Sequence, residues 1–497
     1  MTERRMGLGE LADLIGPERV VGLPVGEVAA LTYDSRRVTP ASVFFAVPGV
    51  HVDGHDFVPQ AVERGAIAVV TERELRGIAV PQLVVDRTRR AMADAADAWF
   101  GRPSESLEVI GVTGTDGKTT TGFLGMQVLS AGGGRPGLIG TVAQRIGDRL
   151  IRNEGRNTTP ESLELQEVLS RMVTAGNDSV LMEATSHGLA LERTRNCRFR
   201  VGIVTTVTSE HLEFHGTLEA YRAAKARLVE EAPIAILNAD DGSFAFFRDR
   251  SAGRVVTYAI DTDADLRAHE VVADATGSRF EVTASSWRGS VSLPMPGRFN
   301  VYNALAALAV AEVEGVDLAL AADALAHGAG VPGRMQRVDM GQPFALVVDY
   351  AHTADSLRKV LAMLRGVTRG RLIVVFGSAG ERDQTKRPEM GRVGAELADA
   401  VVVTDEDPRL EDPRVINEQI AEGARAAGAR DGENLLVIDD RRAAIARAVM
   451  LAGEGDVILL AGKGHEHSII YGTEHRWWDE AEVARAALRA AGWGSRG

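Results

Sequence analysis

The sequence predicts an α/β protein whose sheets are mainly parallel and are connected by crossover helices. From about residue 107 onward, short apolar runs alternate with helix-like stretches, a pattern typical of parallel sheets. Polar and glycine-rich segments directly follow these runs, at the carboxyl ends of the strands, where such sheets bind ligands. The length of 497 residues suits about three domains of roughly 150 residues each.

The expected strands and domain boundaries can be given by residue number. The apolar runs lie at 107–112, 179–182, 201–207, 234–237, 345–348, 371–376, 401–404, 435–438 and 457–460. Turn-forming residues occur at 101–106 and at 332–333, and such clusters mark breaks between structural units. We therefore expect domains at residues 1–105, 106–335 and 336–497.

Composition excludes several classes of protein. The net charge of −13 argues against a general nucleic-acid binder, which needs an excess of Lys and Arg. Cys197 is the single cysteine, so no internal disulfide forms. No apolar run approaches the roughly 20 residues that span a bilayer, and the N-terminus lacks the apolar segment of a secretory signal. These features predict a soluble cytoplasmic protein that binds no nucleic acid and does not insert into membranes.

The strongest motif is GVTGTDGKTTT at residues 111–121, between a predicted strand and a predicted helix. Glycines in such a loop let backbone N–H groups surround phosphate oxygens, while Lys118 reaches the terminal phosphates and Thr119 can hold Mg²⁺. Val112 stands where the usual pattern has its first glycine. The alternative is a tight turn with a solvated lysine, but the strand–loop–helix context favours nucleotide binding. The loop alone names no reaction.

A second signal is the helix expected at residues 217–228. Leu218, Tyr221, Lys225 and Leu228 fall on one face, so the lysine lies on the apolar stripe. A lysine there can extend its amine to solvent while its stem covers the core, and spacing alone favours this structural alternative. Burial instead lowers the pKa of an amine, and the neutral amine is the form that reacts with CO₂ to give a carbamate.

Metal-ligating residue types follow two neighbouring strands. Glu183 comes directly after one predicted strand, and His211 follows the next in TSEHLEFHG. A carboxylate and an imidazole at adjacent strand ends can ligate a metal between phosphate and substrate. Each residue taken singly is more often structural, and His187 is equally ambiguous.

Four polar segments of the last third also follow apolar runs, and they lie at 349–352, 378–388, 405–409 and 462–466. Arginines in such positions suit carboxylates or phosphates, and acids suit ammonium groups. Any one of these segments can be a solvated loop. Four in one domain predict a binding rim.

Taken together, these motifs resemble the Mur ligases, ATP-dependent amino-acid ligases of peptidoglycan synthesis. Within that family the chain resembles the MurE type, which adds the third stem-peptide residue to UDP-N-acetylmuramoyl-L-alanyl-D-glutamate. The resemblance covers essentially the whole chain. It implies an N-terminal uridine-binding domain, a central phosphate-loop ATPase domain and a Rossmann-like C-terminal domain for the amino acid. It also implies ATP and Mg²⁺ as cofactors, a monomer, and a role in cell wall biogenesis.

The resemblance further implies a set of site residues. Those for ATP are Thr113, Gly114, Thr115, Asp116, Gly117, Lys118, Thr119, Asn303 and Arg334. Those for the muramoyl-dipeptide nucleotide are Ser35, Val50, His51, Val52, Asn157, Thr158, Thr159, Thr185 and Arg193. Those for the incoming amino acid are Arg382, Glu406, Asp407, Pro408, Arg409, Gly462 and Glu466. The catalytic residues are Lys118, Lys225, His211 and Glu183, and the metal ligands are Thr119, Glu183, His211 and the carbamate of Lys225.

Some positions depart from the family pattern. Asp116 replaces the asparagine of the family motif GTNGKT, and Glu406–Asp407 replace the first two residues of the family motif DNPR. Leu191 and Thr206 also differ from the family pattern. Asp407 can pair with Arg409 and weaken its hold on a distal carboxylate of the substrate. The sequence therefore favours L-lysine or L-ornithine over meso-diaminopimelate.

The implied mechanism proceeds through an acyl phosphate. Two alternatives stay open. The first is a folylpolyglutamate-synthase-like ligase, against which the uridine-like first domain speaks, and the second is a non-enzymatic nucleotide-binding switch.

Overall fold

The structure is a computed structural model that describes residues 4–49, 52–153, 157–328 and 330–494. Val50 and His51 of the predicted uridine site lie outside the described residues. The chain forms two compact units, Met1–Ala264 and Asp265–Gly497. The division falls inside the expected central domain, and the boundaries at 105 and 335 stay a prediction.

The first unit contains fifteen strands, nine α-helices and three short 3₁₀ helices among its described residues. Its strands are β1 (Met6–Gly7), β2 (Arg19–Val21), β3 (Glu27–Val28), β4 (Ala30–Thr32), β5 (Ser42–Phe45), β6 (Ala66–Thr71), β7 (Gln82–Val84), β8 (Glu108–Thr113), β9 (Pro136–Ile139), β10 (Ala143–Ile146), β11 (Arg149–Arg152), β12 (Ser179–Glu183), β13 (Phe199–Val204), β14 (Ile234–Asn238) and β15 (Arg254–Ala259). Its helices are α1 (Leu8–Ile15), α2 (Val58–Glu63), α3 (Thr88–Trp99), α4 (Lys118–Ala131), α5 (Ser162–Thr174), α6 (Ser186–Ala190), α7 (Leu212–His215), α8 (Leu218–Glu231) and α9 (Phe244–Arg248).

The second unit contains eleven strands and seven helices among its described residues. Its strands are β16 (Leu266–Asp274), β17 (Gly277–Thr283), β18 (Arg288–Leu293), β19 (Gln336–Arg337), β20 (Ala345–Asp349), β21 (Leu372–Phe376), β22 (Ala400–Val403), β23 (Leu435–Val437), β24 (Val457–Ala461), β25 (Ser468–Tyr471) and β26 (Glu474–Trp477). Its helices are α10 (Arg298–Val313), α11 (Leu318–His327), α12 (Ala354–Val367), α13 (Lys386–Leu397), α14 (Pro413–Ala426), α15 (Arg441–Leu451) and α16 (Glu480–Ala490).

Parallel sheets form the frame of both units. The first unit has a sheet in the order β2-β7-β6-β5-β4 and a larger one in the order β11-β10-β9-β12-β8-β13-β14-β15. In the larger sheet, the strands from β9 to β15 in this order run parallel. The second unit has the order β19-β20-β24-β21-β22-β23. Only β19 and β20 pair in antiparallel orientation in this sheet, and all its other neighbouring described strands are parallel. Parallel sheets align the carboxyl ends of their strands, and the loops that follow them lie along that edge.

All nine predicted apolar runs are strands, and the α/β class is confirmed. The sequence did not reveal the antiparallel strands β16–β18, because buried and solvent-facing residues alternate along them and no continuous apolar run results.

Helix α8 confirms the predicted amphipathic stripe. Tyr221, Lys225 and Leu228 are buried on one face. At its N-terminus, the hydroxyl of Thr217 accepts a hydrogen bond from the backbone N–H of Ala220, a standard N-cap. The Lys225 side chain is only 1% exposed, so it does not extend to solvent as the structural alternative requires. No described helix is both long and apolar enough to span a membrane.

Candidate active site

The phosphate loop leaves β8 and enters α4 at Lys118. Gly114 and Gly117 have positive φ angles of 153° and 88°. A Cβ atom on Gly114 would overlap the hydroxyl oxygen of Thr205, which itself donates to the carbonyl oxygens of Thr113 (3.1 Å) and Asp116 (2.6 Å). Glycine is therefore required at position 114, both for space and for conformation. The loop presents the N-terminus of α4, which attracts phosphate groups.

We expect Gly114→Ala to abolish ATP binding while leaving the fold intact. The added methyl group displaces Thr205 and with it the hydrogen bonds that shape the loop. The measurement is ATP affinity by calorimetry. Gly242→Ala is the control, because a Cβ atom there meets nothing within 4 Å. Unchanged affinity in Gly114→Ala would contradict the assignment of this loop.

Two lysines converge on one carbonyl oxygen of the phosphate loop. Lys118 Nζ donates to the carbonyl oxygens of Gly114 (2.8 Å) and Thr115 (2.7 Å), and Lys225 Nζ donates to that of Gly114 (2.7 Å). Burial, and then the neighbouring charge of Lys118, hold the pKa of Lys225 well below its ordinary value. Tyr221 lies beside it, with its ring centre 4.5 Å from Lys225 Nζ. The surroundings of Lys225 therefore disfavour the charged form of its amine.

Glu183 lies at the carboxyl end of β12, the strand that neighbours β8. Its carboxylate is 2% exposed and accepts hydrogen bonds from the backbone N–H and the hydroxyl of Thr141, both at 2.9 Å. Oxygen atoms are the ligands that Mg²⁺ prefers, and it usually takes only one or two from the protein. The carboxylate of Glu183 and the hydroxyl of Thr119 in the first turn of α4 fit this donor chemistry.

The threonines predicted for the muramoyl dipeptide lie beside Glu183. The Thr159 hydroxyl donates to the carbonyl oxygen of Glu183 (2.8 Å) and accepts from the backbone N–H of Thr185 (3.0 Å). Arg193 donates to the Thr159 carbonyl oxygen at 3.1 Å and forms an ion pair with Glu161 at 2.8 Å. The Thr158 hydroxyl is 3.0 Å from that of Thr141, and the backbone carbonyl of Asn157 accepts from Asn153 at 3.3 Å. The structure thus brings most of this predicted group together.

His211 belongs to a cluster of three histidines. Its ring centre is 4.8 Å from that of His187, and that of His215 is 5.5 Å from His187. Burial, and then the charge of His211, lower the pKa of His187 to about 4. Among the described residues, no three His, Cys, Asp or Glu side chains are arranged to hold a metal ion. The predicted role of His211 as a ligand stays a prediction.

In the N-terminal part, Ser35 opens a short helix over Ser35–Arg37 and donates to Gln60 at 2.7 Å. Val52 is 56% exposed. Tyr33 donates to Glu164 of α5 at 2.8 Å, a contact that no sequence motif indicates.

In the second unit, the loops after β22 and β24 are joined by a buried lysine. Lys463 Nζ is 2.8 Å from Asp407 Oδ1 and 2.6 Å from Glu466 Oε2. Burial disfavours its charge, yet the two carboxylates raise the pKa of Lys463 above its ordinary value. The loop after β21 also contacts this group, because the backbone N–H of Gly380 donates to the Asp407 carbonyl oxygen at 2.8 Å. The predicted convergence of polar loops in this unit is therefore observed.

The side chain of Glu406 lies against the backbone of Gly462. Burial raises the pKa of Glu406 to about 7, although Lys463 and Arg441 oppose the shift. One carboxyl oxygen is buried and, among the described residues, has no hydrogen-bond partner. A Cβ atom on Gly462 would lie 2.6 Å from that oxygen, so a larger residue at 462 has no room.

The expected pairing of Asp407 with Arg409 is wrong, as no ion pair joins them within the described part of the chain. Asp407 Oδ1 accepts instead from Lys463 and from the backbone N–H of Ile470. The backbone of Arg409 has a positive φ of 54° and donates to the Ile470 carbonyl oxygen. Its Nε is buried without a hydrogen-bond partner among the described residues. Arg382 lies exposed on the loop after β21.

Of the two predicted nucleotide residues in this unit, Arg334 lies against the same loops. Its guanidinium is 4.8 Å from the ring centre of Tyr350, which in turn lies 4.8 Å from the ring of His465. Asn303 is buried in α10, where it donates to Asn300 at 3.2 Å.

Sequence reasoning missed Lys463 and Arg441 as members of the site. Lys463 stands inside GKGHE, whose position after a strand was a usable signal. Arg441 begins α15 in a stretch with no motif, and only its contacts reveal it.

Comparison with known proteins accounts for this arrangement. The family descriptions "Mur ligase family, catalytic domain", "Mur ligase middle domain" and "Mur ligase, glutamate ligase domain" match residues 27–100, 112–311 and 333–464. The chain is 47% identical over 487 residues to a UDP-N-acetylmuramyl-tripeptide synthetase of Roseiflexus sp. (strain RS-1), covering 94% of this chain and 96% of the relative.

Two further matches agree with this. A UDP-N-acetylmuramoyl-L-alanyl-D-glutamate–2,6-diaminopimelate ligase of Geobacillus thermodenitrificans (strain NG80-2) is 44% identical, over 93% of this chain and 95% of its own. A solved structure of a ligase with that same name has a TM-score of 0.71 and 31% identity, with 98% and 99% of the two chains covered. The predicted three-domain architecture and the cofactors ATP and Mg²⁺ are confirmed. The chain belongs to the Mur ligase family of ATP-dependent, peptide-bond-forming ligases.

Proposed function

We propose that this protein adds a diamino acid to the D-glutamate carboxylate of UDP-N-acetylmuramoyl-L-alanyl-D-glutamate, as a step of peptidoglycan precursor synthesis. The observation that carries the proposal is the convergence of Lys118 and Lys225 on the phosphate loop, beside Glu183 and its threonines. The names of the relatives supply the substrate class. The matched N-terminal segment 27–100 speaks against the folylpolyglutamate-synthase alternative. We also propose that the protein is a cytoplasmic monomer.

The reaction passes through an acyl phosphate. A D-glutamate carboxylate oxygen attacks the γ-phosphorus of ATP, and ADP leaves. The amine of the incoming amino acid then attacks the acyl carbon, loses a proton, and releases inorganic phosphate. Lys118 neutralises charge on the transferring phosphoryl group. Thr119 and Glu183 would hold Mg²⁺, which would supply further charge neutralisation when bound.

Lys225 takes part as a carbamate. Its neutral amine attacks CO₂, a C–N bond forms, and the nitrogen loses a proton, so that a buried amine becomes an anion. The lowered pKa of Lys225 increases the fraction of the amine in this reactive form. An anion at this point is an oxygen ligand for Mg²⁺, which an ammonium is not.

The third residue is L-lysine or L-ornithine. Lys463 is shared by two carboxylates, so this group has a net negative charge, to which Asp407 contributes and an asparagine would not. A buried negative charge favours a terminal ammonium group in the substrate. A second candidate, meso-diaminopimelate, is favoured by the unpartnered Nε of Arg409 and by the names of relatives such as the Geobacillus protein.

We expect Asp407→Asn to shift the preference toward meso-diaminopimelate, because it removes one negative charge from the group formed by Lys463, Asp407 and Glu466. The measurement is kcat/KM for L-lysine, L-ornithine and meso-diaminopimelate in both proteins, with a change in the preference ratio of at least about tenfold, equivalent to ~1.4 kcal/mol. A clear preference of the unmodified protein for meso-diaminopimelate would overturn the lysine-or-ornithine proposal and leave the ligase proposal standing.

The ligase proposal itself is tested by phosphate release from ATP. Release must require both the muramoyl-dipeptide nucleotide and a diamino acid. With ¹⁸O in the D-glutamate carboxylate, one ¹⁸O atom should appear in the released phosphate, as the acyl-phosphate route demands. ATP binding without acceptor-dependent release would favour the nucleotide-switch alternative.

A further inference from the structure

We propose that Arg441 is a positioning residue that sets the geometry of the amino-acid site by holding two of its loops at once. This inference rests on the proposed function. Arg441 is not one of the predicted site residues, and its side chain is 0% exposed. It reaches the site through backbone carbonyl groups in the loop after β22 and at the end of β24.

The contacts of Arg441 reach both loops. One terminal nitrogen donates to the carbonyl oxygen of Asp405 at 3.2 Å, directly before Glu406 and Asp407. The other donates to that of Ala461 at 2.8 Å, directly before Gly462 and Lys463. Strands β22 and β24 are not neighbours, since β21 lies between them. Arg441 therefore ties together two loops whose own strands do not pair.

A second set of contacts fixes the guanidinium itself. Arg441 and Glu480 form an ion pair at 2.6 Å in which both side chains are 0% exposed, and the Nε of Arg441 also donates to Glu480. The indole N–H of Trp478 donates to the other oxygen of Glu480 at 2.6 Å. The orientation of the fork is thus determined before substrate binds.

The chemistry of arginine explains why this residue type is used. A guanidinium has five N–H donors in a rigid plane, so it serves a carboxylate and two carbonyl groups together. Glu480 is the ion-pair partner of this charge, and the part of the charge that reaches Glu406 opposes the raised pKa of that carboxyl. A buried ion pair is on its own weak evidence for stability, since apolar pairs of similar volume often replace it without loss. What an apolar pair cannot replace is the pair of hydrogen bonds to the two loops.

That difference allows a sharp experiment on the full-length protein. We would compare Arg441→Met with the double variant Arg441→Met/Glu480→Met, measuring thermal unfolding and the separate KM values for ATP, the nucleotide substrate and the diamino acid. The double variant leaves no uncompensated buried charge, so it should regain most of the thermal stability that the single variant loses. In both variants the KM for the diamino acid should rise at least about tenfold, and the KM for ATP should stay within about twofold of its original value.

Two controls sharpen the outcome. Arg441→Lys keeps the charge but not the planar guanidinium with its several donors. Its KM for the diamino acid should therefore stay above that of the unmodified protein. Arg371→Met breaks an ion pair with Asp456 (2.9 Å). This pair lies at the N-terminal ends of β21 and β24, away from the amino-acid loops, so the substitution should leave the KM for the diamino acid unchanged.

The inference is overturned if the double variant recovers the original KM together with its stability, or if the KM values for all three substrates rise equally. If either Met variant fails to fold, the Arg441→Lys protein decides by the same KM comparison. Failure of the proposed function looks different, because the unmodified protein would then show no phosphate release that depends on a diamino acid.

Discussion

Replacing Lys118 with alanine is expected to lower kcat by at least about a hundredfold, because one positioned donor at a developing negative charge contributes on the order of 3 kcal/mol to transition-state stabilisation. Lys118 Nζ lies within 2.8 Å of the Gly114 and Thr115 carbonyl oxygens, at the loop that is shaped for phosphates. The neighbouring Lys225 is a poor substitute for this cation, because burial and the charge of Lys118 lower its pKa.

The same substitution has a second expected effect. The charge of Lys118 is the second cause, after burial, of the lowered pKa of Lys225. Its removal should therefore raise the pKa of Lys225 and reduce reaction with CO₂. Carbon-13 NMR with labelled bicarbonate reports this change independently of turnover.

The measurement for Lys118→Ala is acceptor-dependent phosphate release under saturating substrates, with circular dichroism to confirm the fold. Lys359→Ala serves as the matched control, because Lys359 is an exposed lysine on α12 that pairs with Asp355. Activity of Lys118→Ala within tenfold of the unmodified protein would contradict the assignment of the loop.

Replacing Lys225 with alanine is expected to cause a comparable loss of activity, and short-chain carboxylic acids should partly restore it. The side chain is buried against Tyr221 and the phosphate loop, and its loss leaves a space that formate or acetate can enter. These acids supply the carboxylate oxygens that the carbamate supplies in the intact protein. Activity should therefore rise with formate concentration in Lys225→Ala and not in Lys118→Ala.

Lys225 also predicts a pH dependence of stability. The pKa of the unmodified amine is well below 10.5 in the folded protein and close to 10.5 in the unfolded chain. Between these two values the unfolded chain binds more protons, so the free energy of unfolding rises with pH across that window. In Lys225→Met this contribution to the slope should disappear.

The readouts for Lys225 are thus rescue by formate and denaturant unfolding at several pH values in CO₂-free buffer. A Lys225→Ala protein with normal rate and normal Mg²⁺ dependence would show that the carbamate proposal is wrong. An unchanged pH slope in Lys225→Met would show that the pKa of this amine is not lowered in the folded protein.

Local sequence determined much of this protein. The nine apolar runs are strands, the segment at 111–121 connects β8 to α4 through a glycine-containing loop, and the stripe through Lys225 faces the core. These features follow from short-range periodicity and from glycine conformation, which a single sequence displays directly. The order of motifs along the chain was also sufficient to indicate the family that the comparisons confirm.

The antiparallel strands and the partners of charged residues could not be read in this way. Asp407 was expected to pair with Arg409, two residues away, yet its partner is Lys463. Arg441 and Glu480 are 39 residues apart and form a fully buried ion pair. Sequence proximity does not fix side-chain partners, because strand order and loop conformation decide which groups meet.

The two buried lysines show most clearly where the sequence ends and the tertiary structure begins. The sequence determined that Lys225 lies on an apolar face and that Lys463 follows a strand. Only the tertiary structure decided the direction in which each pKa is shifted. Lys225 contacts a carbonyl oxygen beside another cation, while Lys463 contacts two carboxylates. Burial disfavours the ammonium form of both, and a carboxylate partner reverses that effect for one of them. The pKa of Lys225 is therefore lowered and that of Lys463 is raised.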